Sequence, residues 1–352
     1  MKESNRMKLA ILFGARSFEH EISIVSAISL KKVLTCELTY IFCDNDRNFY
    51  LIPTNEITSK RFSSGEYKKD KPLYLKQGGF FYKKLMGESC IEVDCVLNLV
   101  HGADGEDGKV SALFDFFNIP YIGPRLEASC ISYNKLFTKL FAKEVGVNVL
   151  PYQFLSKETP EAISIEFPFI VKPLRLGSSI GISIVKDASE LSYALDVAFE
   201  FDDSVLIEPF IHGVKEYNLA GIYGKDGFHF SIIEEPQKEE FLDFDKKYLD
   251  FSRTKRVNEA NLSLPIQEAL KDAFVKLYNP LFRGALIRCD FFVIENQIYL
   301  NEINPIPGSM ANYLFDDFEK IIIALSHSLP KPLEMPAQTY RYIHSIQSAK
   351  GK

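Results

Sequence analysis

The sequence contains no C-x-x-C pair among its six cysteines, Cys36, Cys43, Cys90, Cys95, Cys130 and Cys289. That spacing argues against a zinc site, and six cysteines in 352 residues do not make a disulfide framework. They read as small core hydrophobes of a protein kept reduced. No apolar stretch reaches the ~18 residues needed to cross a bilayer. The opening MKESNRMKLAILFG has no long apolar region ahead of a cleavage site. A cytoplasmic protein with no membrane partner is expected, and Met1 and Met7 are both candidate starts. Basic runs with interleaved aromatics are missing too, and the formal net charge is −6, so nucleic acid is not an expected partner. Mild acidity does not exclude a nucleotide, because a few locally placed lysines suffice for one. No internal repeat or low-complexity tract stands out.

What is present is the balance of an ordinary globular chain, 46% hydrophobic and 25% charged, long enough for two or three lobes. Residues 1–125 alternate strand and helix signals, the pattern of an α/β domain with a parallel sheet. KLAILF (8–13) is a short buried strand, followed by a helix with apolar residues at helical spacing and Glu19 and Glu21 in its first turn. DCVLNLV (94–100) is a second buried strand, ending in a Gly-rich acidic turn before the helix VSALFDFF. Ligands in such sheets sit beyond the carboxyl ends of the strands. Pro120 to Pro124 reads as a hinge or linker. A helix over 134–145 opens a central lobe, 126–212, in which FPFIVKPL and IGISIVKD are strands joined by RLGSS. A third lobe, 213–352, mixes strands and helices, so the second half is α+β. Within it, 236–262 is charged and aromatic with weak periodicity, which suggests a lid loop.

Four places carry candidate chemistry. The first is Lys172-Pro-Leu-Arg-Leu-Gly177-Ser178-Ser179-Ile-Gly181. Glycines let backbone N–H groups approach phosphate oxygens, and hydroxyls add donors. It is neither a Walker A loop nor a Rossmann fingerprint. It reads as a flap over phosphates, with Lys172 supplying positive charge, at even odds with an ordinary hairpin. The second is Arg288-Cys-Asp290 with Glu302-Ile-Asn304 on an adjacent strand. Alternation puts each pair on one face. If Glu295-Asn296-Gln297 is a three-residue turn, Asp290 faces Glu302, and two carboxylates with an amide oxygen form a hard set suited to Mg²⁺. An even-length turn would put them on opposite faces, so register is the test. The third is Asn304-Pro-Ile-Pro307-Gly308-Ser309-Met310, in which Gly308 leaves an N–H open to a substrate oxygen; alone, it is a rigid turn. The fourth pairs Glu19 with His101 and the glycine turn 102–108. Alone, Glu19 is a helix-terminus charge, and His101 is a base, a donor or a packed histidine. Lys135, Glu208, Glu216 and Lys247-Tyr248 are individually unremarkable, and His212, His229, His327 and His344 have no partner pattern.

Taken together, these strings resemble the D-alanine–D-alanine ligases of bacterial cell-wall synthesis, which are ATP-grasp enzymes. The resemblance rests on Gly14…Ser17-Phe-Glu19-His-Glu-Ile-Ser23, His101-Gly-Ala-Asp-Gly-Glu-Asp-Gly108, Lys172-Pro-x-x-x-Gly177-Ser178-Ser179-x-Gly181 and Glu302-Ile-Asn304-x-x-Pro-Gly308. Their order fits over residues 8–330. It implies an N-terminal domain and two α+β lobes clamping ATP. Lys135 and Lys172 are then expected at the phosphates. Glu208, Pro209, Phe210 and Ile211 are expected at the adenine, with Glu216 at the ribose. Ser178 and Ser179 belong to the flap. Asp290, Glu302 and Asn304 hold two Mg²⁺, for which Mn²⁺ can substitute. Glu19 receives the ammonium of the first D-alanine, hydrogen-bonded with Ser178 and Tyr248. Lys247 and Arg288 bind the transferring phosphoryl group, and Arg288 with the Gly308 N–H stabilises the oxyanion. His101 and Ser309 are further substrate-side candidates. ATP would phosphorylate the first D-alanine and the amine of the second would attack, with residues 236–262 closing over the site. A homodimer is expected.

One departure concerns the second substrate. The family commonly has Ser-Leu where this chain has Tyr313-Leu314. Relatives that make D-alanyl-D-lactate tend to have histidine where Tyr248 stands, so tyrosine favours an amine acceptor. The competing expectations are a ligase with D-serine or D-lactate as acceptor, and a silent ATP-binding module.

Overall fold

The computed structural model describes residues 6–159, 161–236, 254, 256–331, 340 and 342–349. Three sheets organise them.

The first sheet is built on β1 (Lys8–Gly14), which is flanked by β2 (Glu37–Cys43) on one side and β7 (Cys95–Asn98) on the other, both parallel to it. Alternation along β1 explains its place. Leu9, Ile11 and Phe13 enter one apolar cluster, whereas Ala10 and Leu12 enter the cluster on the opposite face. A strand buried on both faces reads as a continuous hydrophobic run, as KLAILF does. Helix α1 (His20–Leu30) follows β1 and covers the first face. Beyond β2 the sheet continues antiparallel through β3 (Phe49–Ile52), β4 (Lys71–Lys76), β5 (Gly79–Lys83) and β6 (Glu88–Cys90), with the short α2 (Ser59–Ser63) between β3 and β4. On the other side, α3 (Lys109–Phe116) leads to β8 (Tyr121–Ile122), which pairs with β7 in parallel. The Pro120–Pro124 segment is therefore not a linker. Its two central residues are a buried edge strand, and the prolines bound it.

Helices α4 (Leu126–Tyr133) and α5 (Lys135–Glu144) come next, with Asn134 capping α5 by accepting from the N–H groups of Leu136 and Phe137. Such a cap is worth ~1 kcal/mol. β9 (Asn148–Val149) leaves this region to join the third sheet. The second sheet has the order β10-β13-β11-β12, from β10 (Gln153–Ser156), β11 (Phe169–Pro173), β12 (Ser183–Val185) and β13 (Ser204–Pro209), with α6 (Leu191–Phe199) packed on it. The third sheet is β15-β14-β16-β17-β9, with β14 (Lys215–Gly224), β15 (Gly227–Glu234), β16 (Ile287–Ile294) and β17 (Gln297–Asn304). Helix α7 (Leu264–Tyr278) packs Phe274 and Leu277 under it. Helix α8 (Phe318–Ser326) and the terminal α9 (Ile343–Ala349) complete the described elements.

One apolar cluster runs from Leu9, Ile11 and Phe13 of β1 through α1 to Ala220, Ile222, Ile306, Met310 and Leu314. The first domain and the third sheet thus share a core, which fixes the strand ends of one against the turn after β17. None of the described helices is long and apolar enough to cross a membrane. Of the six cysteines, Cys43, Cys95 and Cys289 are buried and Cys36 and Cys90 half-buried, but Cys130 is exposed, contrary to the expectation of six core thiols. Lys247, Tyr248 and most of the expected lid, 237–253 and 255, lie outside the described residues.

Candidate active site

Glu19 sits at the start of α1 and is 5% exposed. Ser178, carried by the loop between β11 and β12, donates its hydroxyl to Glu19 Oε1. Two glycines make room for this carboxylate. A Cβ on Gly177 would stand 3.1 Å from Glu19 Oε1, and a Cβ on Gly102 would stand 2.6 Å from Oε2 and 2.4 Å from Ser17 Oγ. Gly102 also has φ +70°, which disfavours any side chain. Glu19 Oε2 is buried and has no hydrogen-bond partner among the described residues. Burial, and then the nearby Glu106, push the Glu19 carboxyl up to about 7 against the pull of the Ser178 hydrogen bond. A buried carboxylate with an unused oxygen is a receptor for a cation.

The positive charges lie next to it. Lys135 opens α5, and its ammonium donates to the Leu176 carbonyl in the same loop. Burial lowers it to about 8 despite the attraction of Glu302. Lys172, on β11, donates to Glu208 Oε2 at 2.7 Å and to Asn301 Oδ1 at 3.4 Å. Glu208 is 2% exposed and is paired on its other oxygen with Lys139, 2.6 Å away. Burial alone would raise the Glu208 carboxyl, but Lys139 and Lys172 override it and hold it at about 2. Its carboxylate is thus engaged with lysines, and the strand end that follows, Pro209 to Ile211, offers backbone to a cleft walled by Leu150, Ile170, Val214 and Phe292. Glu216 pairs with Phe292 across β14 and β16, which places it at the border of that cleft. Apolar walls, a backbone edge and a lysine at one end suit an adenine nucleotide.

The β16–β17 hairpin brings the acidic residues together by an unexpected route. Its turn is not the three-residue loop expected. Ile294 pairs with Gln297, leaving the two residues Glu295 and Asn296, both left-handed at φ 51° and 64°. This is the turn geometry that matches strand twist in a two-residue hairpin. Simple counting from it would set Asp290 against Asn301. A bulge intervenes instead, so that Phe291 pairs with Leu300 and Asp290 with Glu302. Lys139 Nζ lies 3.3 Å from the Leu300 carbonyl and 3.2 Å from that of Asn301, on the bulge itself. Arg288 binds Asp290 with two nitrogens, Nε to Oδ1 at 2.7 Å and Nη2 to Oδ2 at 2.8 Å, and Asn304 Nδ2 donates to Asp290 Oδ2 at 3.0 Å. Burial pushes Asp290 up to about 7 in spite of Arg288. The described residues hold no cluster of three His, Cys, Asp or Glu side chains arranged for a metal. The set here is two facing carboxylates and the Asn304 amide, whose nitrogen is turned to Asp290 and whose oxygen is therefore available. The Asp290 and Glu302 carboxylates with the Asn304 amide oxygen are hard donors of the kind Mg²⁺ prefers, and Arg288 already holds the Asp290 member in place.

After β17 the chain makes a tight turn over Gly308–Leu314, with Ser309, Met310 and Ala311 all left-handed, at φ 46°, 54° and 48°. Tyr313 Oη accepts from Arg288 Nη1 at 3.4 Å, so Tyr313 stands beside the Arg288–Asp290 pair, while Leu314 is wholly buried in the core. His101 is 2% exposed, and burial lowers it to about 4, which leaves it neutral near pH 7. Its Nε2 is 3.0 Å from Ser26 Oγ. Ser179 follows Ser178 in the left-handed region, at φ 58°.

Hydrogen bonds, strand pairing and electrostatic interaction thus link Glu19, Ser178, Lys135, Lys172, Glu208, Arg288, Asp290, Glu302, Asn304 and Tyr313 into one network. Two residues that sequence reasoning did not single out belong with them, Ser26 and Lys139, as does Glu106 of the 102–108 turn, to which it gave no separate role. Glu106 lies 3.7 Å from His101 Nδ1, and burial raises its carboxyl to about 8. Lys139 had a visible signal, since it follows Lys135 by one helical turn on the face that α5 buries.

Known proteins resemble this chain over nearly its whole length. Residues 8–124 match the family described as D-ala D-ala ligase N-terminus, and residues 141–319 the family D-ala D-ala ligase C-terminus. The chain is 60% identical over 346 residues to a D-alanine--D-alanine ligase of Wolinella succinogenes and 61% identical over 347 residues to one of Sulfurovum. Each alignment covers 98% of this chain and 100% of the relative. The crystal structure of a D-alanine–D-alanine ligase from Helicobacter pylori superposes with TM-score 0.83 at 51% identity, covering 94% of this chain and 100% of that one. The chain belongs to the D-alanine–D-alanine ligase family.

Proposed function

We propose that this protein joins two D-alanines to D-alanyl-D-alanine, converting ATP to ADP and phosphate, for peptidoglycan precursor synthesis. The observation that carries the reading is Glu19: a buried carboxylate with one oxygen on Ser178 and the other without a hydrogen-bond partner among the described residues, near the ammonium of Lys135. An α-ammonium satisfies that oxygen and leaves the substrate carboxylate facing the nucleotide.

Lys135 and Lys172 hold the phosphates, and the Pro209–Ile211 backbone with Glu216 holds the nucleoside. The first D-alanine carboxylate attacks the γ-phosphorus, the bond to ADP breaks, and a D-alanyl phosphate forms. Asp290, Glu302 and Asn304 would hold two Mg²⁺, which when bound offset phosphate charge, and Mn²⁺ would serve similarly. Arg288 sits against the transferring group. The amine of the second D-alanine then attacks the acyl carbon, and the Gly308 N–H and Arg288 receive the oxyanion. Phosphate leaves with the C–O bonding pair and the amine gives up its proton. The protein's contribution is position and charge rather than covalent chemistry. Tyr313, next to Arg288, is placed to meet the carboxylate of the second D-alanine. A cytoplasmic homodimer completes the reading, and sedimentation tests the dimer. The activity test is phosphate release from ATP with Mg²⁺ and D-alanine. Identifying the products with D-serine and D-lactate in competition separates a dipeptide ligase from one that uses another acceptor. ATP binding without turnover would favour a silent module.

A further inference from the structure

The turn after β17 raises a physical problem. Ser309, Met310 and Ala311 are three successive L-residues in the left-handed region, and all three are buried. Such a run persists only where its surroundings hold it. Two of its bonds are internal: Met310 N–H donates to the Pro307 carbonyl at 2.7 Å, and Asn312 Nδ2 to the Ser309 carbonyl at 2.9 Å. A third comes from the other domain. Ser309 N–H donates to Ser26 Oγ at 3.1 Å. Ser26 lies on α1, wholly buried, two helical turns after Glu19.

Ser26 does not act alone. Its Oγ is 3.0 Å from His101 Nε2, and His101 makes a backbone hydrogen bond with Ile306. The backbone of His101 is in turn anchored, its N–H donating to Ser23 Oγ at 2.9 Å. While accepting from Ser309, Ser26 Oγ keeps its proton and a second lone pair, so it can bond His101 Nε2 in either ring tautomer. The turn is thus gripped at Ile306 and at Ser309, on either side of Gly308.

We infer that Ser26 and His101 form a clamp that aims the Gly308 N–H and Tyr313 at the acyl carbon and the second amino acid, making Ser26 a positioning residue for the acceptor half of the reaction. This rests on the functional reading above. Because α1 carries both Glu19 and Ser26, the helix that receives the first D-alanine also sets the turn that serves the second. The bonds described for the clamp run to the turn after β17 and to α1, so its loss has a selective signature.

The test is Ser26→Ala, with kinetics resolved for the three substrates and amide exchange measured over 306–314. The clamp predicts at least a tenfold fall in kcat, at least a tenfold rise in KM for the second D-alanine, and KM for ATP and for the first D-alanine within twofold of the unaltered protein. It also predicts at least tenfold faster exchange at Ser309 to Asn312. Unchanged exchange with unchanged second-substrate KM overturns it, as does an equal rise in all three KM values. If Ser26→Ala does not fold, Ser26→Cys, which keeps the volume and weakens the acceptor, is read by the same criteria. Exchange is measurable without turnover, so a protein that forms no dipeptide at all would defeat the functional reading while the clamp is still judged.

Discussion

Asp290 stands directly across from Glu302 although the hairpin joining their strands turns in two residues, and the residue that reconciles the two facts is Asn301, bulged out of β17. Catalytic register here is set by a local irregularity rather than by turn length. Inserting an alanine between Asn301 and Glu302 should carry Glu302 one position past Asp290, onto the other face, and reduce D-alanine-dependent phosphate release by roughly a thousandfold. Asn301→Ala keeps the residue count and should lose far less, roughly tenfold, through the contact to Lys172. Equal losses in the two variants would show that the bulge is incidental.

The bulge has a partner in Lys139, which also neutralises Glu208. Replacing Lys139 with Met removes one member of a buried pair and should destabilise the fold by ~3–5 kcal/mol, read by denaturant unfolding. The sign of the pH effect follows from Glu208. Its folded value, about 2, is below the ordinary 4.5, so its contribution is full above 4.5 and disappears as pH falls toward 2. In Lys139→Met that acid-limb loss should shrink. An unaltered acid limb would contradict the assignment.

Glu19 gives the opposite dependence. Its carboxyl is raised to about 7 by burial and by Glu106, so the folded protein holds this proton between pH 4.5 and 7 where the unfolded chain does not. Its contribution to stability therefore falls as pH rises through that window. Binding an ammonium requires the ionised form. The KM for the first D-alanine should rise about tenfold per pH unit below 7, one proton being released on binding. A KM that stays flat from pH 5.5 to 8 would exclude Glu19 as the ammonium receptor.

Gly102 tests the same pocket sterically. A methyl there meets Ser17 and Glu19 at 2.4 and 2.6 Å. Gly102→Ala should raise the KM for the first D-alanine at least tenfold and leave ATP binding, followed by calorimetry, unchanged. A matching loss of ATP affinity would point to collapse of the domain instead.

Several of these features were open to sequence reasoning. KLAILF and DCVLNLV were readable because strands buried on both faces show continuous apolar runs, whereas the Lys172–Gly181 segment alone read equally well as an ordinary hairpin and gained weight only from the other strings. The antiparallel extension β3 to β6 was not, since its short strands alternate weakly and have no motif. Pro120 to Pro124 read as a linker because a two-residue strand leaves no periodicity between two prolines. The bulge at Asn301 is met by a lysine from a distant helix, and Ser26 is simply one of several buried serines in α1. Both become meaningful only once tertiary contacts are known.

The most direct test of the account is product analysis after incubating the protein with ATP, Mg²⁺ and D-alanine, with D-serine and D-lactate in competition. The account predicts D-alanyl-D-alanine, ADP and phosphate in equal amounts, and none of them without D-alanine. Phosphate release indifferent to D-alanine, or a D-alanyl-D-lactate or D-alanyl-D-serine product in preference to the dipeptide of D-alanine, would contradict it.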